Sequence, residues 1–139
     1  MLANTEKVKE LIPQKAPFVM VDELLLFTHE NLRSRFKINA ANLFVENDYF
    51  VESGIIENMA QTVALHTGYQ FFLINKVPPT GYLGSIKNVE INRLPKTGES
   101  IETSIEIIQE FMGVTLVDVV VFNGDEIIAK SQMKTVLAT

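Results

Sequence analysis

Two residues in this chain have the type and spacing to act together: Glu57 and Gln61. Four positions apart on a helix, an acid and an amide lie one above the other on the same face. Such an acid can take either of two roles. Held protonated by burial, it can donate to a leaving hydroxyl; held as a carboxylate, it can activate water. Ala60, Ala64 and Gly68 share this face, and small side chains let a second backbone or an extended ligand come close. An acid near a helix start also has a plainer use, complementing the positive end of the helix dipole.

The element that must carry these residues runs from Glu52 to Asn75, ESGIIENMAQTVALHTGYQFFLIN. The pattern predicts one long helix over Ser53–Ile74. Ser53 is a suitable N-cap, and no proline occurs before Pro78. Such a helix spans about 30 Å. Ile55, Ile56, Met59, Val63, Leu65 and Phe71 to Ile74 make most of its circumference apolar. A helix apolar on most sides is buried, so its polar residues carry the information.

Strands surround it in sequence. Asn4 to Ile12 reads as a short helix capped by Asn4 or Thr5 and stopped by Pro13. Phe18 to Thr28 reads as a strand, and Leu32 to Ile38 alternates apolar residues with Arg33, Arg35 and Lys37. Ala40 to Val51 shows no period and reads as a loop. After the helix, Gly81 to Leu94, Ile101 to Ile107, Val114 to Phe122 and Glu126 to Ala138 all read as strands. Gly113 and the pair Asn123-Gly124 mark tight turns. The chain, 1–139, reads as a single α+β domain in which an antiparallel sheet curls around the long helix.

Composition narrows the function. The net charge is −5, and the lysines and arginines are scattered, which argues against nucleic-acid binding. There is no cysteine, hence no disulfide and no thiol chemistry. Neither a signal peptide nor a membrane-spanning run is visible, so a cytoplasmic location is expected. His29 and His66 fit no metal-ligand pattern, and no metal or cofactor is expected. His66 falls on the side of the helix opposite Glu57 and is expected to be packed or interface-facing rather than catalytic. Hydrophobic residues make up 47% of the chain, and Val114 to Phe122 is apolar on both faces. Both features point to an apolar interface in a homodimer or higher oligomer.

Three segments resemble one family in the right order. Leu11-Ile12-Pro13-Gln14-Lys15-Ala16-Pro17-Phe18-Val19-Met20-Val21-Asp22 resembles the opening LIPHRxPFLLVD of β-hydroxyacyl-acyl-carrier-protein dehydratases. Gly54-Ile55-Ile56-Glu57-Asn58-Met59-Ala60-Gln61 is similar to their helix start GVLxxEAMAQ, and Ser85 to Glu102 is similar to their following strand and turn. The resemblance implies the hotdog fold, a long central helix wrapped by a curved antiparallel β-sheet. It implies a substrate that is an acyl thioester on an acyl carrier protein or CoA, in fatty-acid or polyene-type lipid synthesis. It makes Glu57 the catalytic acid and Gln61 the residue orienting Glu57 or the leaving water. It matches the N–H groups of Gly54 or Ile55 to the donors for the thioester oxygen. Tyr49 and Ala64 are further candidates for substrate contact.

The family's histidine loop, GHFPGxPxxPG, is missing. In its place Leu43 to Gly54 holds no histidine, and the early histidine of the opening motif is Gln14. The chain therefore looks more like a divergent dehydratase-like subgroup, found beside polyene-type gene clusters, that lacks the loop. Glu46, Asp48 and Tyr49 are the nearby candidates for the missing base, and spacing selects none of them. Three functions follow: a dehydratase of 3-hydroxyacyl thioesters, a thioesterase using the helix carboxylate, or a non-catalytic subunit that pairs with a histidine-bearing homologue. Arg33, Arg35, Lys87, Arg93 and Lys96 are either solvated faces or a surface for an acidic carrier protein.

Overall fold

The computed structural model describes residues 1–138. A short helix α1 (Thr5–Leu11) precedes strands β1 (Glu23–Phe27) and β2 (Asn31–Lys37). A small hairpin of β3 (Val45–Glu46) and β4 (Tyr49–Phe50) leads into the long helix α2 (Glu52–Leu73). Four strands follow: β5 (Gly81–Ile91), β6 (Ser100–Phe111), β7 (Val114–Asn123) and β8 (Glu126–Leu137). The six long strands form one antiparallel sheet in the order β1-β2-β6-β7-β8-β5. This is the hotdog arrangement, with the curved sheet wrapped around α2.

The period-2 patterning places the core. On β6 Ile101, Thr103 and Ile105 are buried, and on β7 Val117, Val119 and Val121 are buried, because alternate side chains point to the concave face. They meet Ile55, Met59 and Leu65 of α2, each with no exposed surface. Burying a side chain of this size contributes about 1.5–3 kcal/mol. The outer face of the sheet is charged. Arg33 and Arg35 stand by Glu102 at 3.5 and 3.7 Å, Arg35 also reaches Glu23 at 3.0 Å, and Arg93 holds Glu126 at 2.9 Å. Three of the five basic residues noted in the sequence are thus already neutralised by neighbours, each pair contributing roughly 0–1 kcal/mol.

Turn chemistry holds the strands in register. Met112 and Gly113 both have positive φ (51° and 80°) between Phe111 and Val114, the geometry of a two-residue hairpin turn. At the next hairpin Asn123 pairs with Glu126, so the turn is Gly124-Asp125, with Gly124 at φ 62°. Asn123 itself belongs to the strand. Asn4 caps α1 as expected, its Oδ1 accepting from the Lys7 N–H at 3.0 Å.

Several boundaries differ from the sequence reading; β5 stops at Ile91 and β6 runs on to Phe111. Helix α2 begins one residue earlier than Ser53, with Val51 as its cap residue and no side-chain cap. Ser53 is inside the first turn, and its hydroxyl caps nothing. The segment Phe18 to Asp22 lies outside β1, because the backbone groups of Phe18 and Met20 are taken up largely by side chains of α2 rather than by a strand. Residues Ala40 to Val51 hold the β3–β4 hairpin, too short for any period to show.

Gly68 fixes how α1 sits on α2. A Cβ at Gly68 would collide with the Leu11 carbonyl oxygen at the end of α1. Gly68→Ala should therefore destabilise the fold by about 1–3 kcal/mol, the usual cost of overpacking. Urea unfolding of the two proteins checks this; equal midpoints and slopes would show that α1 is not seated there.

Candidate functional site

The site is built on one turn of α2. Gln61 has no exposed surface, and both its N–H donors and its oxygen are engaged. Its Oε1 accepts from the Met20 N–H at 2.7 Å, and its Nε2 donates to the Phe18 carbonyl at 2.7 Å and to Glu57 Oε1 at 2.9 Å. The amide orientation follows from this set. The reverse orientation would set two donors together at Met20 and two acceptors together at Phe18. Gln61 therefore acts on Glu57 only as a donor. Glu57 Oε1 is held as an acceptor, and Oε2 has no hydrogen-bond partner among the described residues. Oε2 is thus the oxygen left for other contacts. Gln61 has no N–H left to donate to a leaving water.

Asn58 completes the grip. Its Nδ2 donates to the Met20 carbonyl at 2.7 Å, and its Oδ1 accepts from Thr103 Oγ1 on β6 at 2.6 Å. One turn on, Thr62 Oγ1 donates to the Asn58 carbonyl at 2.8 Å and lies 2.9 Å from Ser34 Oγ on β2. Asn58 was not singled out in the sequence. The signal was there: a buried amide on an apolar helix needs partners.

The other expected residues separate. The Gly54 and Ile55 N–H groups both donate to the Val51 carbonyl, at 2.9 and 3.1 Å, and neither is free for a thioester oxygen. Gly54 is needed for space: a Cβ would sit 2.6 Å from the Phe50 ring and 2.8 Å from Phe44 Cβ. Ile55 is core. Tyr49 lies on the exposed hairpin, with Lys96 Nζ 5.6 Å from its ring centre. Glu46 and Asp48 are exposed on the same hairpin. Glu57 is the sixth residue of α2, in its second turn rather than its first, so the helix dipole acts on it weakly.

Ala64 faces a cavity. With Ala60 and Gly68 it lines a cavity of about 340 Å³, closed by the Leu11–Gln14 turn and the start of β5. Tyr49, Gly54 and Glu57 are not among its lining residues. Glu57 sits on the same helix face one turn toward the N-terminus. The described residues contain no cluster of groups suited to a metal ion, and no helix long and apolar enough to cross a membrane.

A family model for ApeP-like dehydratases matches residues 6–138. The chain belongs to the ApeP-like dehydratase family. No match was found among curated protein sequences. Among solved structures, this ApeP-like chain is similar to one in the dehydratase heterocomplex ApeI:P from Xenorhabdus doucetiae, at 13% identity and TM-score 0.88, covering 95% of this chain and 91% of that one. It is also similar to smu.793 from Streptococcus mutans UA159, solved with acetyl CoA, at 12% identity and TM-score 0.71, covering 91% and 95%. A hypothetical thioesterase from Streptococcus pneumoniae TIGR4, solved with coenzyme A, matches at 10% identity and TM-score 0.68, covering 84% of each chain. At these identities the likenesses establish the hotdog fold.

The histidines of this chain lie outside the Glu57 site. His29 is exposed on the β1–β2 turn. His66 is buried, its Nε2 3.0 Å from the Thr28 carbonyl and its ring 4.9 Å from Phe27. A carbonyl only accepts, so Nε2 carries the hydrogen. Burial pushes the imidazole below its ordinary 6.5, and the Thr28 and His29 backbone contacts pull it back only in part. The stability supplied by the neutral ring is whole above about pH 6.5 and is lost as the pH falls toward the depressed value. Asp22 runs the other way: burial pushes its carboxyl up from 3.8 against the Lys37 N–H, so its contribution declines as the pH rises past that value. The His66 contribution to the unfolding free energy should therefore fall as the pH drops below about 6.5, with Asp22 opposing it. His66→Gln should flatten that fall whatever its effect on absolute stability. Denaturant titrations across the range check this, and an unchanged slope would place the titration elsewhere.

Proposed function

We propose that this protein is the acid-bearing subunit of a dehydratase for 3-hydroxyacyl thioesters, held on an acyl carrier protein, in fatty-acid or polyene-type lipid synthesis. The observation that carries the reading is Glu57. Its Oε1 is fixed by the Gln61 donor, its Oε2 is free, and it stands one turn from a cavity walled by Ala60 and Ala64. Dehydration requires a base to take the C2 proton while the C3–O bond breaks and the C2=C3 bond forms. The proton on Glu57 Oε2 goes to the departing hydroxyl, which leaves as water. Family membership and the likeness to a chain of a dehydratase heterocomplex support this assignment.

The base comes from a second hotdog subunit. The sequence has two histidines; one is exposed on a turn, and the other is buried with Nε2–H donated to Thr28. Strand β5 at the sheet edge suits such a partner, since Tyr82 is 61% exposed and Leu83 45% exposed beside an unpaired edge. A homodimer is the simplest alternative way to cover it. A thioesterase reading has its own support, because Glu57 Oε2 as a carboxylate can activate water, and two similar folds were solved with CoA species.

Glu57→Gln keeps the volume and the link to Gln61 but removes the ionisable group. On a 3-hydroxyacyl thioester, with a histidine-bearing hotdog partner present, it should lower enoyl formation about 10²-fold or more with melting unchanged. Enoyl absorbance and thiol release, followed together, separate the two chemistries. Thiol release without enoyl formation in the wild type would establish the thioesterase. Full activity in a folded Glu57→Gln would remove the residue from the mechanism.

A further inference from the structure

A second cavity, also of about 340 Å³, lies on the other flank of α2, between His66, Phe71 and Ile74 and the concave face of the sheet at Ile105 and Val117. It extends to a rim at Phe111 and Met112. Four residues line both cavities: Val63, Thr67, Thr135 and Leu137. The wall between the cavities is therefore one residue thick. Its geometry follows from the two periods. Val63 and Thr67 are four apart and stack on one face of α2. Thr135 and Leu137 are two apart and continue the inward row of Ser131 and Met133 on β8.

We propose that Thr67 and Leu137 set the length of acyl chain this protein accepts. The proposal rests on the acyl-thioester reading above. Each cavity alone is near the small end of the range for ligand pockets, about 300–1,000 Å³. The first, beside Ala60 and Ala64, receives the acyl chain nearest Glu57 and ends at the wall. The second is lined mainly by apolar side chains and lies directly behind. A longer straight chain is the ligand that matches two apolar cavities in series. Of the four wall residues, Val63 is buried in the core, and Thr135 stands within β8 with Leu83 and Thr115 opposite it, whereas Leu137 is the last residue of that strand. Thr67 and Leu137 are both partly exposed and are the side chains whose size can change the opening.

The test measures binding of straight-chain acyl-CoA thioesters of increasing length to the full chain by calorimetry. Wild type, Leu137→Ala and Thr67→Phe are compared, with melting curves for each. Each methylene admitted to an apolar cavity should gain about fourfold in affinity until the wall is reached. Leu137→Ala should move that limit to longer chains, and Thr67→Phe should move it to shorter ones. The two variants shift in opposite directions, which loss of stability alone does not produce. If either variant fails to fold, the other still reads the shift. One common length profile in folded proteins would overturn the proposal while leaving acyl-thioester binding intact. Absence of binding at every length in the wild type would overturn both.

Discussion

Everything in the site depends on two side chains replacing a strand. Asn58 and Gln61, three apart on α2, take up the carbonyl of Phe18 and both backbone groups of Met20. A buried backbone group left unpaired costs about 1–3 kcal/mol, so these bonds are obligatory once Phe18 to Met20 is covered. They tie the turn after α1 to the central helix. The same bonds leave Gln61 a single remaining hydrogen, aimed at Glu57. The position of the acid is thus a by-product of satisfying a distant stretch of backbone.

The rest of the helix is fitted around that grip. Gly68 lets α1 approach within backbone contact, which closes the end of the first cavity, and Gly54 lets the Phe50 ring lie under the start of α2. Thr62 and Thr103 extend the polar chain from Asn58 to Ser34 on β2 and to β6. Such a network is costly unless complete. Each of these side chains finds a partner, and the result is a helix whose rotation in the sheet is fixed. That rotation sends Glu57, Ala60 and Ala64 to the partly open side and His66 to the closed one.

Much of this was legible in the sequence. The apolar circumference of α2 announced a buried helix, and the alternation in β2 and β6 announced strands with one inward face. Ala64, expected as a substrate contact, lines the first cavity. What failed did so for long-range reasons. Phe18 looked like strand because its residues are strand formers, but its partners are side chains about 40 positions away. Ser53 looked like a cap, but the Val51 carbonyl starts the helix and takes up the N–H groups of Gly54 and Ile55. Those two were expected as oxyanion donors because a helix start generally offers free N–H groups. Here only a structure shows which ones remain free.

The central claim is that Glu57 supplies one half of an acid–base pair and a second hotdog chain supplies the other. The direct measurement is enoyl formation from a 3-hydroxyacyl thioester by the purified chain, alone and then titrated with a histidine-bearing hotdog subunit from the same source. The account predicts negligible activity alone and activity that saturates at an equal ratio of the two chains. Full activity from this chain alone, unchanged by the partner, would contradict it, because the base would then have to lie among its own residues.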